Sequence, residues 1–106
     1  MSDKIRKLSQ AIRFGASLTP QVTKRYVTYN SEGNITGTCA LGAAFHGLSI
    51  QDESIKKLSV SQAIAPFLKD LTGEERDRIQ GTIINLNDNH YWTRERIATW
   101  LESHGL

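Results

Sequence analysis

The only cysteine of the chain, Cys39, heads the apolar run Cys39-Ala-Leu-Gly-Ala-Ala-Phe45. A thiol at the start of a helix meets unpaired N–H groups and the positive end of the macrodipole, and both favour a thiolate. Nucleophilic catalysis needs in addition a base within hydrogen-bond reach and a group that orients that base. His46 lies seven residues on, about 10.5 Å along a helix at ~1.5 Å per residue, which is too far. His90 is the candidate base, with Asp88 or Asn87 as orienter, provided the fold brings it to Cys39. On that reading the chain is a cysteine-dependent hydrolase or transferase. The opposing reading is architectural. Free cysteine is among the most buried residue types, and an alanine-rich helix is a natural place for a small buried side chain. The residue pattern alone assigns no catalytic residue.

The segment Asn85-Leu-Asn-Asp-Asn-His90 carries alternating oxygen ligands, as the start of a calcium loop does. The match then fails. The sixth place is His90 where glycine is needed, and the twelfth is Arg96 where a bidentate glutamate is needed. His90 alone does not make a zinc site. No metal and no cofactor is expected, and the segment reads as a turn whose Asn and Asp side chains bond to nearby backbone.

Charge is unevenly spread. Residues 1–30 hold six basic groups, Lys4, Arg6, Lys7, Arg13, Lys24 and Arg25, against Asp3, for +5; the remainder carries −3. Basic groups beside Tyr26 and Tyr29 point to single-stranded nucleic acid, bound by charge and stacking. In a hairpin, however, Tyr26 is expected to pack inward. The segment Thr93-Arg-Glu-Arg-Ile-Ala-Thr-Trp-Leu101 resembles one helix of a helix-turn-helix. Its pairing with a helix over 73–85 leaves a connection near eight residues, longer than the motif's usual 3–4-residue turn. There is no glycine-rich phosphate loop and no Gly-x-Ser-x-Gly elbow.

These groups must be positioned by a small set of elements. Ile5, Leu8, Ile12 and Ala16 form one face of a helix from about Lys4 to Ser17, ended by Thr19-Pro20. Lys24–Tyr29 and Ile35-Thr36, around the turn cluster Asn30–Asn34, read as a two-stranded hairpin. Thr38 is the expected N-cap of a helix Cys39–Gly47, apolar all round and therefore buried, with Gly47 as a left-handed C-cap. A short helix is expected around Asp52–Leu58. Pro66 fits a first turn. Thr72 and Glu75 form a capping box for a helix reaching about Asn85. Thr93 caps the last helix, with Trp92 and Ile97 as a hydrophobic staple and Gly105 at its end.

The chain of 106 residues is expected to be a single domain, 1–106, of α+β, mainly helical class. Four or five helices pack around a buried central helix, with one two-stranded β-hairpin. No apolar run approaches the ~20 residues that span a bilayer, the N-terminus lacks the apolar stretch of a signal peptide, and one cysteine cannot pair internally. A cytoplasmic location is the expectation.

Cys-Ala-Leu-Gly-Ala-Ala at 39–44 after a hairpin, Leu-Asn-Asp at 86–88, and a final helix opening at Thr93 together resemble a group of small uncharacterised bacterial and phage proteins. The likeness spans most of the chain but departs in the long 48–72 insert. It implies no activity. It implies that Cys39 and Asn87-Asp88 belong together, the Asn-Asp turn satisfying N–H groups at the Cys39 helix or the hairpin. The leading functional expectation is a protein-interaction or regulatory module carried by a phage or mobile element. Its contact surface is expected on segment 48–72 or the basic first helix.

Overall fold

The computed structural model describes residues 5–106. Lys4 lies outside the described residues. Helix α1 spans Leu8–Ala16, strand β1 Val27–Tyr29, strand β2 Ile35–Thr38 and helix α2 Ala40–Gln51. After a 3-10 turn, Glu53–Lys57, come α3 at Val60–Ile64, a second 3-10 turn at Ala65–Leu68, α4 at Gly73–Asp88 and α5 at Arg94–Ser103. The architecture is the expected mainly helical α+β fold, with five α-helices among the described residues and one antiparallel hairpin.

Helix α2 is the centre. Its first six residues, Ala40 to Phe45, are all buried, and α1, α3 and α4 pack against it. Leu8 and Ile12 of α1, Leu41 of α2, Ile64 of α3, Ile83 of α4 and Ile97 and Leu101 of α5 share one apolar cluster. Each fully buried side chain of this size contributes about 1.5–3 kcal/mol relative to exposure. Ser9 is also fully buried, with its hydroxyl unpartnered.

The crossing of α1 on α2 depends on missing side chains. A methyl group at Gly15 of α1 would overlap the Ala43 carbonyl of α2. This explains a difference from the sequence reading. Gly47 does not cap α2; the helix runs on to Gln51. A Cβ there would lie 3.0 Å from the Ala11 carbonyl oxygen and 3.1 Å from the Gly15 nitrogen. Gly47 is a packing residue in the helix interior, needed where α1 crosses.

The hairpin joins Val27 to Thr38 and Tyr29 to Ile35, with a bulge between Thr28 and Tyr29. Asn30 builds the turn: its Oδ1 accepts from the amides of Glu32 and Asn34, both at 2.9 Å. A two-stranded ribbon is marginal alone. Here the segment before it adds a third flank, since Thr38 N donates to Pro20 O and Val22 N donates to Thr38 O, each at 3.0 Å.

Other helix ends follow the sequence. Thr72 and Glu75 cap each other's amides at 3.0 and 3.1 Å. Thr93 Oγ1 accepts from Arg96 N at 3.1 Å, and the Arg96 guanidinium lies over the Trp92 ring. Pro66 opens the second 3-10 turn. Helix α4 continues to Asp88, three residues past the expected end, so five residues, 89–93, connect it to α5. No helix among the described residues is long and apolar enough to cross a membrane.

Candidate functional site

The Cys39 side chain is itself the N-cap of α2, the place expected for Thr38. Its backbone is extended, and Sγ accepts from Gly42 N at 3.4 Å. Its own N–H donates to Tyr26 O at 3.1 Å. Only 5 % of the residue is exposed. Burial pushes the thiol up from its ordinary value and the Asp88 carboxylate pushes it further, against the amides of Gly42 and Leu41, which pull it down. Desolvation outweighs the helix terminus, so the thiol stays protonated at neutral pH.

His90 does not complete a catalytic arrangement. It sits exposed in the turn after α4 and is absent from the small cavity of about 160 Å³ beside Cys39, which is lined by Lys24, Arg25, Tyr26, Cys39, Ile84 and Asp88. Of the candidate residues Cys39, His90 and Asp88, the cavity therefore brings together Cys39 and Asp88. Among the described residues, no three His, Cys, Asp or Glu side chains converge as metal ligands would.

Asn87 has become a structural hub. It is fully buried. Its Oδ1 accepts from Ala40 N at 3.1 Å and from Gln21 Nε2 at 2.8 Å. Its Nδ2 donates to Val22 O at 3.0 Å and to Asp88 Oδ1 at 2.7 Å. Two acceptor sites and two N–H groups are the whole capacity of a carboxamide, and all are used. Gln21 Nε2 also donates to Trp92 O at 2.8 Å. One side chain thus ties the start of α2, the segment before the hairpin and the end of α4, and reaches the entry of α5 through Gln21. The local-turn expectation is corrected for Asn87: apart from Asp88, its partners lie 47 and more residues away, and its bond to Ala40 N is the expected contact at the Cys39 helix.

Beside this hub lies Arg94, 9 % exposed. It donates to Thr38 Oγ1 at 2.9 Å, Thr38 O at 3.5 Å and Ala16 O at 3.3 Å. Thr38 Oγ1 also bonds Thr19 Oγ1 at 3.2 Å. Burial lowers the guanidinium's pKa. The sequence reading missed Gln21 and Arg94. For Arg94 a signal existed: a cation at the first position of a helix opposes the macrodipole, so it requires a tertiary reason.

The basic candidates are scattered. Arg13 is occupied by Glu95 at 2.8 Å and Glu102 at 2.7 Å, joining α1 to α5. Arg6 and Lys7 are exposed at the start of α1, their amides held by Gln10 Oε1. Lys24 and Arg25 are exposed near Asp88. Lys24 adopts φ 65°, a conformation that strains an L-residue. Tyr26 is exposed, contrary to the inward packing expected.

A wider opening than the one beside Cys39 lies elsewhere. A groove of about 430 Å³ runs between the hairpin turn, the second half of α2 and the first 3-10 turn. Its walls include Tyr29 and Ile35 of the hairpin, Phe45, His46 and Ile50 of α2, and Lys56. Tyr29 is 60 % exposed and Ile50 57 %. His46 Nδ1 is buried without a hydrogen-bond partner. Burial first, and then the Lys56 ammonium, hold the imidazole below its ordinary pKa. No local sequence signal marks this groove, because it joins residues far apart in the chain.

No family model, curated protein or solved structure matches this chain.

Proposed function

We propose that this chain is a protein-interaction module whose partner seats in the groove between the hairpin and the second half of α2. The observation that carries the reading is the pairing of Tyr29 and Ile50, two large apolar side chains left in water at the rim of a concave site. Pockets of roughly 300–1,000 Å³, mainly apolar with a few polar groups, are the usual form of a binding site. The wall residues stand on firm supports: β2 is paired with β1 and held at Thr38 by the segment before the hairpin, and α2 is the core helix. Cysteine chemistry is disfavoured by the buried thiol and by the absence of His90 from the cavity beside it. The segment 48–72 enters the site only through Ser49, Ile50 and Lys56. Cytoplasmic residence belongs to the same reading and is supported by the lone Cys39. Origin on a phage or mobile element rests on the resemblance alone.

The test is affinity capture from a lysate of the host, with the wild-type chain and with Ile50→Glu as baits. The reading expects a partner held by wild type and lost by Ile50→Glu, with both baits equally folded by circular dichroism. Equal recovery by both, or recovery of neither beyond bait alone, contradicts it.

A second reading has one specific observation. Lys24, Arg25 and Tyr26 are exposed in the segment leading into β1 and line one small cavity, and Tyr29 is exposed at the far end of that strand, a composition that suits single-stranded nucleic acid. Asp88 beside Lys24 and Arg25 and the engagement of Arg13 weigh against it. This reading predicts salt-dependent binding of a fluorescent oligonucleotide, lost in Lys24→Glu/Arg25→Glu. Absence of binding at low salt removes it.

A further inference from the structure

Among the described residues, the groove walls carry two basic side chains, His46 and Lys56, and no carboxylate. Lys56 does have an ion-pair partner, Glu53 at 2.8 Å, but both side chains are largely in water. Exposed pairs of this kind hold their partners weakly, so the ammonium is free to exchange partners. The field at His46 is accordingly positive: the neighbouring charge that acts on the imidazole is Lys56.

The histidine has a defined polarity. Nδ1 is buried and unpartnered. A buried N–H without an acceptor is the rarer and costlier arrangement, so the neutral ring carries its hydrogen on Nε2. The ring then offers a donor rather than an acceptor. Alongside it stand Tyr29, Ile35, Phe45 and Ile50, a surface suited to one large apolar side chain.

We propose that the groove binds an extended acidic-apolar peptide segment of the partner. A carboxylate would meet Lys56 and the Nε2–H of His46, and a neighbouring large apolar side chain would lie between Tyr29 and Ile50. This rests on the groove being the partner site. The neutral ring donates Nε2–H to that carboxylate without being protonated, since protonation would put a hydrogen on the buried, unpartnered Nδ1.

The probe is a display library of random heptapeptides selected on the immobilised full chain, with the enriched sequences remeasured as synthetic peptides. The expected result is enrichment of Asp or Glu next to an aromatic or aliphatic residue. Lys56→Glu should weaken those peptides at least about tenfold, and Ile50→Glu should abolish binding. Peptides of neutral or basic character that are nonetheless lost in Ile50→Glu would overturn the acidic assignment and leave the groove as the site. Peptides indifferent to Ile50→Glu, no enrichment at all, or concentration-dependent self-association lost in Ile50→Glu would overturn the proposal and the peptide-docking reading together. Lys56→Gln, which removes the charge without reversing it, guards against a folding defect in Lys56→Glu and should show an intermediate loss.

Discussion

Asn87 Oδ1 accepts a hydrogen bond from Ala40 N at 3.1 Å, so the end of α4 satisfies the first amide of the central helix. Helix N-termini leave about four N–H groups without intrahelical partners. Here one is met by Asn87 and another, that of Gly42, by the Cys39 sulfur. The residues that looked most chemical in the sequence are those that start α2.

Asn87→Asp should be more damaging than its size suggests. The new carboxylate oxygen would replace Nδ2 opposite the Val22 carbonyl and the Asp88 carboxylate, setting acceptors against acceptors in a buried site. A loss of roughly 3 kcal/mol or more is expected near neutral pH, partly regained on acidification as the carboxyl protonates. Urea unfolding at two pH values measures it. Unchanged stability at neutral pH would contradict the hub.

Cys39→Ala removes the cap and should cost about 1 kcal/mol. Cys39→Ser keeps an acceptor at the same place and should recover much of that loss. Thermal unfolding of both variants makes the comparison; a serine variant no better than alanine would deny the sulfur its capping role.

Two glycine substitutions should act in opposite directions. A methyl group at Gly42 would overlap the Tyr26 carbonyl, backbone that cannot yield without moving the hairpin. Gly42→Ala is expected to destabilise strongly. At Gly81, inside α4, nothing lies within 4 Å of the new atom, so Gly81→Ala should stabilise by about 0.5–1 kcal/mol through helix propensity. Urea midpoints report both signs.

Acid should loosen the α1–α5 contact. Hydrogen bonding to Arg13 holds the Glu102 carboxyl below the usual glutamate range. A carboxyl depressed in the folded state contributes stability above its unfolded pKa and loses it as pH falls through the folded one. The Glu75 carboxyl, held down by the Thr72 amide, acts in the same sense. Arg13→Gln should therefore flatten the acid side of a melting-temperature profile taken from about pH 3 to about pH 7. An unchanged acid limb would contradict the pairing.

Local signals were legible wherever the physics is local. The Thr72–Glu75 box, the Thr93 cap, the Asn30 turn and the apolar α2 are set by residues a few positions apart, and the structure has all of them. Legibility failed where a distant element decides. Gly47 reads as a helix end until α1 is known to cross it. Asn87 is expected at the start of the Cys39 helix, where it accepts from Ala40 N, but its bonds to Gln21 and Val22 show only in the fold. Tyr29, Ile50 and Lys56 come from three separate segments, and only the fold makes them one groove.

Cys39, Asn87 and Asp88 build the fold, and on the reading proposed above function lies in binding. The rate of Cys39 alkylation, measured on native and unfolded chain across about pH 5–9, tests it most directly. A core cysteine reacts slowly in the native chain, limited by opening of the protein, with no low-pH midpoint. Fast native reaction with a midpoint well below the unperturbed ~8.5 would contradict it and return Cys39 to the place of a nucleophile.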